Sequence, residues 1–295
     1  MRVLMVVNLK SGQGDVGLYD YVRELGTAGA EVTMRFLGPG NEFESLLEDA
    51  GSYDSVVAAG GDGTVSAICH VLAGTQTPVL AYPAGTANLL AHNLRIPTQP
   101  YELARLTTEG KVLDIDLGEL FCDTSGVRRG FVVAAGAGYD AAIMEAADPL
   151  KSTLGVAAYV VGALQNLAPT VSLFTLELDD RTVETEGIAV LVMNMVRIQF
   201  DLALTHSSNP CDGLFEVVVL RTRSVPELIP AVWAAFLDRF IDNPDRSARV
   251  EVHTASKIRV QADPPLPLQY DGEVLQATTP MCVRVLPRAA RMLVP

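Results

Sequence analysis

The chain changes its pattern once, near Asp114, and no other feature narrows its choice of fold as far. Before that point RVLMVV (Arg2 to Val7), AEVTMRFL, YDSVVAAGG and PVLAYPAG read as buried, β-branched strands. Helical patterns lie between them, from about Val16 to Ala28, in EFESLLEDA, from about Thr64 to Leu72, and opening at Thr86. Strands alternating with helices imply parallel βαβ units, because a parallel pair needs a long crossover. After Asp114 come IDLGEL, RGFVVAAG, VSLFTLELDDRTVETEGIAVLVMN, LFEVVVL, ARVEVHTASKIRVQA, PLQYDGEVLQ and MCVRVLP. These are mostly short strands separated by turn signals such as Asp179-Asp180 and Asp271-Gly272, the pattern of an antiparallel domain. Two helices are expected within it, at about Ser152 to Leu167 and Val225 to Phe240. The expectation is an α/β N-terminal domain, a parallel sheet with flanking helices, followed by a β-rich antiparallel second domain. A chain of 295 residues with 49% hydrophobic content can bury two such cores.

Charge then excludes a class of partner. Lys plus Arg number 22 against 35 Asp plus Glu, a net charge of -13, and phosphate-rich nucleic acid would be repelled over most of the surface. Anionic lipid needs a local basic patch, and with no block of like charge longer than the pair Arg128, Arg129, the fold must assemble it. Cys69, Cys122, Cys211 and Cys282 form no CxxC pair, which suggests buried free thiols rather than a zinc site or a disulfide framework. His70, His92, His206 and His253 share no ligand spacing. The apolar run in MRVLMVVNLKSG is too short for a signal sequence, and the expected location is cytoplasmic, touching membranes from outside if at all. The apolar stretch STLGVAAYVVGALQNL, Ser152 to Leu167, reads as a core helix, with a lipid-pocket wall as the alternative.

In VVAAGGDGTVSA, Val56 to Ala67, a buried strand runs into Gly60, Gly61, Asp62, Gly63 and Thr64 and on into a helix. Glycines permit close backbone approach and a helix start favours anions, so such a turn suits phosphate. A carboxylate beside an anion makes sense if Asp62 holds a magnesium ion or accepts a proton from an attacking hydroxyl; as an ordinary turn, Asp62 or Thr64 would be an N-cap. PAGTAN, Pro83 to Asn88, ends the next strand with another glycine and hydroxyl, placing two phosphate-grade turns at the carboxyl edge of one sheet.

GGDGT and PAGTAN, with NLKSGQG at Asn8 to Gly14, resemble the diacylglycerol kinase catalytic fold shared by bacterial lipid kinases and sphingosine kinases. The resemblance continues in order through IDLG at Ile115 to Gly118, AAGAGYDA at Ala134 to Ala141, CDGLFEVVVL at Cys211 to Leu220 and YDGE at Tyr270 to Glu273. It implies a nucleotide-binding α/β domain over residues 1–115, to which residues 287–295 return, and a β-rich lipid-substrate domain over 116–286. It also implies ATP phosphates surrounded by Gly60, Gly61, Asp62, Gly63, Thr64, Gly85, Thr86 and Asn88, with Asn8, Ser11 and Gly12 nearby. Asp62 and Glu273 would be catalytic carboxylates, Glu273 the base, with Asp116 where the family keeps another essential Asp. Asp62 would meet the catalytic magnesium, and Asp212 would remain as a weak structural-magnesium ligand.

The chain departs from that pattern in places. Ser66 and Ala67 stand where many bacterial members have Asn and Glu, Gln13 or Asp15 and His92 where basic residues are common, and Cys211 where a second Asp precedes the glycine. The leading expectation is a magnesium-dependent kinase acting with ATP on the primary hydroxyl of a diacylglycerol-like or long-chain-base lipid, met at or extracted from a membrane surface. A kinase of a soluble substrate such as NAD and a catalytically weak lipid- or nucleotide-binding protein are the alternatives, and a homodimer stays open.

Overall fold

The computed structural model describes residues 1–11, 16–38, 40, 42–138, 169–195, 197–198, 202–203, 209–223 and 250–295. The helices expected at about Ser152 to Leu167 and Val225 to Phe240, and Gly12 and His206, lie outside the described residues. The chain forms two compact units, Met1–Leu117 with Pro287–Pro295, and Gly118–Leu286.

In the first unit β1 (Arg2–Asn8), β2 (Glu31–Leu37), β3 (Ser55–Gly60) and β4 (Val79–Pro83) are parallel and lie in the order β2-β1-β3-β4. The C-terminal segment adds to the far side, Met292 pairing parallel with Val79. Every residue of β3 is buried, as are Val3 to Val7 of β1, which explains why both read as unbroken apolar runs. The helices are α1 (Val16–Thr27), α2 (Phe43–Leu47), α3 (Asp62–Val71), α4 (Leu89–Asn93) and α5 (Pro100–Glu109). From β1 the chain crosses to β2 on one side and then to β3 on the other, so the order reverses between β1 and β3. At such a switch point the connecting segments diverge and leave a crevice beyond the carboxyl ends of the strands.

The helix in EFESLLEDA is shorter than expected, covering Phe43–Leu47, and two helix starts beside the glycine turns also differ from the sequence reading. The third helix starts at Asp62, not Thr64, because Gly61 already accepts the N–H groups of Thr64 and Val65. The helix expected to open at Thr86 starts only at Leu89, since Asn88 takes a left-handed conformation (φ 50) that a helix cannot contain.

The strand β5 (Lys111–Cys122) leads into the second unit and pairs antiparallel with β6 (Arg128–Phe131). The following strands are β7 (Ala134–Gly138), β8 (Ser172–Leu178), β9 (Arg181–Gly187), β10 (Ala189–Met193), the short pair β11 (Arg197–Ile198) and β12 (Leu202–Ala203), β13 (Phe215–Leu220), β14 (Val250–Ala255), β15 (Lys257–Asp263), β16 (Pro267–Tyr270), β17 (Glu273–Thr278) and β18 (Met281–Val294). One antiparallel sheet runs β14-β13-β10-β7-β16-β17. Within the same unit β15 pairs antiparallel with both β18 and β8, and β8 with β9. Alternate residues from the two sets, among them Val192, Val217 and Leu268 facing Phe174, Val260 and Val283, form one buried cluster. This is a β-sandwich core, and the tilted pair Phe131 and Phe215, 5.4 Å between ring centres, adds roughly 1 kcal/mol beyond its buried area.

Candidate active site

Three loops leave the carboxyl ends of β1, β3 and β4, and side chains tie them together. Asn8 donates through Nδ2 to the buried Thr64 hydroxyl at 2.8 Å and accepts the Lys10 N–H at 3.0 Å, fixing the first loop against the second. The Gly61 N–H donates to Ser11 Oγ at 3.3 Å. In the third loop Asn88 accepts the Gly85 N–H at 2.8 Å and returns a bond to the Gly85 carbonyl at 2.9 Å, closing PAGTAN on itself. A Cβ added to Gly85 would lie 2.5 Å from Gly61 Cα, so the second and third turns meet where only glycine fits. Asn8, Thr64 and Asn88 thus build the turns, while Thr86 is exposed and Ser11, Gly61 and Gly63 are partly exposed on their open side.

Asp62 resolves the question of a carboxylate among phosphate-grade donors. It opens α3, yet Oδ1 accepts the Leu90 N–H in the first turn of α4 at 3.0 Å. The carboxylate is thereby engaged by the neighbouring helix. Burial pushes the Asp62 carboxyl above the ordinary range, against the pull of the Leu90 and Leu89 amides, its own amide and the nearby charge of His92. The space enclosed by Gly60, Asp62, Asn88 and Leu90 is too tight for a water, so a ligand would meet these turns from outside.

Asp116, also in the first unit, is fully buried and accepts the Arg288 N–H at 2.7 Å. Arg288 has a positive φ of 48°, and the carboxylate braces this bend in the last strand.

The YDGE segment lies in the second unit and divides its labour. Asp271 is buried with φ 42°, and its carboxylate accepts the N–H groups of Val132 (2.8 Å), Val133 (2.8 Å) and Ala134 (3.1 Å). Gly272 follows with φ 82°, completing a two-residue turn in which Tyr270 pairs with Glu273. Glu273 is exposed, and the half-buried Tyr270 donates its hydroxyl to Glu273 Oε2 at 3.0 Å. Burial and the Glu273 charge push the Tyr270 hydroxyl up, while Arg129 beside it pulls the other way. Sequence reasoning took Asp271 only as a turn residue and passed over Tyr270; the available signal was an aromatic directly across a DG turn from a carboxylate.

Among the described residues no three His, Cys, Asp or Glu side chains gather as a metal cage. Asp212 is exposed and uses Oδ1 to accept the Leu214 N–H at 3.0 Å, with Cys211 beside it in place of a second carboxylate. These residues do not fit a magnesium ion held by protein ligands alone; magnesium fits only where substrate phosphates supply most of its oxygens. All four cysteines are free, Cys69 and Cys122 buried, Cys211 and Cys282 half-buried.

Residues 2–120 match the family described as the diacylglycerol kinase catalytic domain, and residues 132–294 the family described as the YegS C-terminal NAD kinase beta sandwich-like domain. A Stenotrophomonas maltophilia protein named "Probable lipid kinase YegS-like" is 30% identical, with 100% of this chain and 96% of the relative covered. An uncharacterized Synechocystis protein is 31% identical over 81% of this chain, and the chain spans about half (54%) of that relative's length. The crystal structure of a diacylglycerol kinase from Bacillus anthracis superposes with a TM-score of 0.75 at 22% identity, covering 100% of this chain and 97% of that one, a likeness of fold.

Proposed function

The chain belongs to the diacylglycerol kinase catalytic-domain family, lipid kinases with a YegS-type C-terminal β-sandwich, and from that premise we propose that it transfers the γ-phosphoryl group of ATP to the primary hydroxyl of a diacylglycerol-like or long-chain-base lipid. The carrying observation is the convergence of three glycine- and hydroxyl-bearing loops at the carboxyl edge of a parallel sheet, where its strand order reverses. There Ser11, Gly63 and Thr86 offer hydroxyl and backbone donors to phosphates, and Asn8, Thr64, Asn88, Asp62 and Gly61, the last through its bond to Ser11, hold those donors in place. The β-sandwich unit takes the lipid. Magnesium carried in with the nucleotide would offset the charge of its phosphates.

A lipid alcohol is far too weak an acid to ionise alone, so a carboxylate must take its proton as the new bond forms. With the Asp62 carboxylate engaged by α4, the exposed Glu273 is the better candidate for that base. The lipid oxygen bonds to the γ-phosphorus, the bond from that phosphorus to the oxygen of departing ADP breaks, and the hydroxyl proton passes to Glu273. Turnover of labelled ATP against solubilised diacylglycerol, sphingoid base and NAD tests the proposal. Label is expected in a lipid. Label in NAD and in no lipid would overturn the choice of substrate. Glu273→Gln should lower kcat by roughly 100-fold or more with KM for ATP little changed.

A further inference from the structure

Glu273 and Tyr270 face each other across a turn that has little freedom. Three backbone N–H groups hold the Asp271 carboxylate, and the Tyr270 ring packs against the buried cluster of the sandwich. Its hydroxyl reaches Glu273 Oε2 at 3.0 Å, and the Arg129 guanidinium from β6 lies beside that hydroxyl. An exposed Glu side chain normally samples several rotamers, and a base that does so presents its oxygen to the reacting hydroxyl only part of the time. Here the bond to Oε2 restrains the carboxylate, and among the described residues Oε1 is left as the open acceptor.

We propose that Tyr270 is a positioning residue, holding Glu273 by Oε2 so that Oε1 is presented to the lipid hydroxyl. The proposal rests on the reading of Glu273 as the base. Tyr270→Phe removes one oxygen and keeps the packed ring, so its melting temperature should match wild type. It should lower kcat by about 5- to 50-fold and change KM for ATP and for lipid less than about twofold, because an orientation effect is felt in the transition state rather than in binding. Placed in Glu273→Gln, the same change should alter kcat by less than about twofold, since the base it orients is gone. Two results would overturn the role of Tyr270: kcat in Tyr270→Phe within about twofold of wild type while Glu273→Gln is crippled, or an equal loss in both backgrounds. Near-normal turnover in Glu273→Gln would instead overturn the base assignment itself, and the positioning role with it.

Discussion

Asp271 shows how much one carboxylate can hold. Replacing it with Ala would leave the amides of Val132, Val133 and Ala134 without their acceptor in a buried place, a loss of about 3 kcal/mol or more. Asp271→Ala should therefore lower the urea midpoint strongly, while Glu273→Gln, two residues away and exposed, should unfold like wild type; similar midpoints for the two variants would refute the assignment. Asp62 behaves in the opposite sense. Its carboxyl is raised by burial, so the fold disfavours its charged form, and its contribution to stability is fullest below the ordinary carboxylate range and lost as pH rises through the raised value. Asp62→Asn keeps an oxygen for the Leu90 N–H and removes the charge. It should be at least as stable as wild type at pH 7.5, with the advantage shrinking as pH falls toward 4, while kinase activity drops. Unfolding curves at both pH values check this, and an advantage that grows on acidification would contradict it.

At the scale of elements, the glycine turns are built by mutual contact. Gly85→Ala would put a Cβ 2.5 Å from Gly61 Cα and 2.9 Å from Asn88 Oδ1, so one of the two turns must move. We expect a loss of about 1–3 kcal/mol and a rise in KM for ATP of roughly tenfold or more, with Gly51→Ala, whose added Cβ meets nothing within 4 Å, as the silent control. A Gly85→Ala protein with normal stability and KM would show that the turns do not depend on this contact. The strands were legible in the sequence because apolar runs such as SVVAAG and the alternation in SLFTLEL follow directly from burial on two faces or one. The glycines of the turns were legible because close approach leaves few other residues. The start of α4 was not: TAN reads as a helix opening, and only the Asn88 side chain folding back on Gly85 delays it to Leu89. Nor could local pattern reveal that Asp62 reaches Leu90 or that Asp271 reaches Val132, since both bonds join residues distant in sequence.

For the molecule as a whole, the net charge of -13 bears on how a lipid substrate is reached. Among the described residues no helix is long and apolar enough to cross a membrane. An acidic chain is repelled by an anionic surface at distances of roughly a Debye length, about 8–10 Å near physiological salt, unless basic residues gather on the docking face. We therefore expect little sedimentation with vesicles of mixed neutral and anionic phospholipid, further reduced as the anionic fraction rises. Activity should then follow substrate presentation, being higher on detergent-dispersed lipid than on anionic vesicles of the same lipid content. Raising salt to about 0.5 M should narrow that difference, because screening removes the repulsion and leaves the chemistry untouched. Tight vesicle binding that survives such salt would instead assign docking to an apolar surface, and the charge of the chain would then have no part in access to lipid.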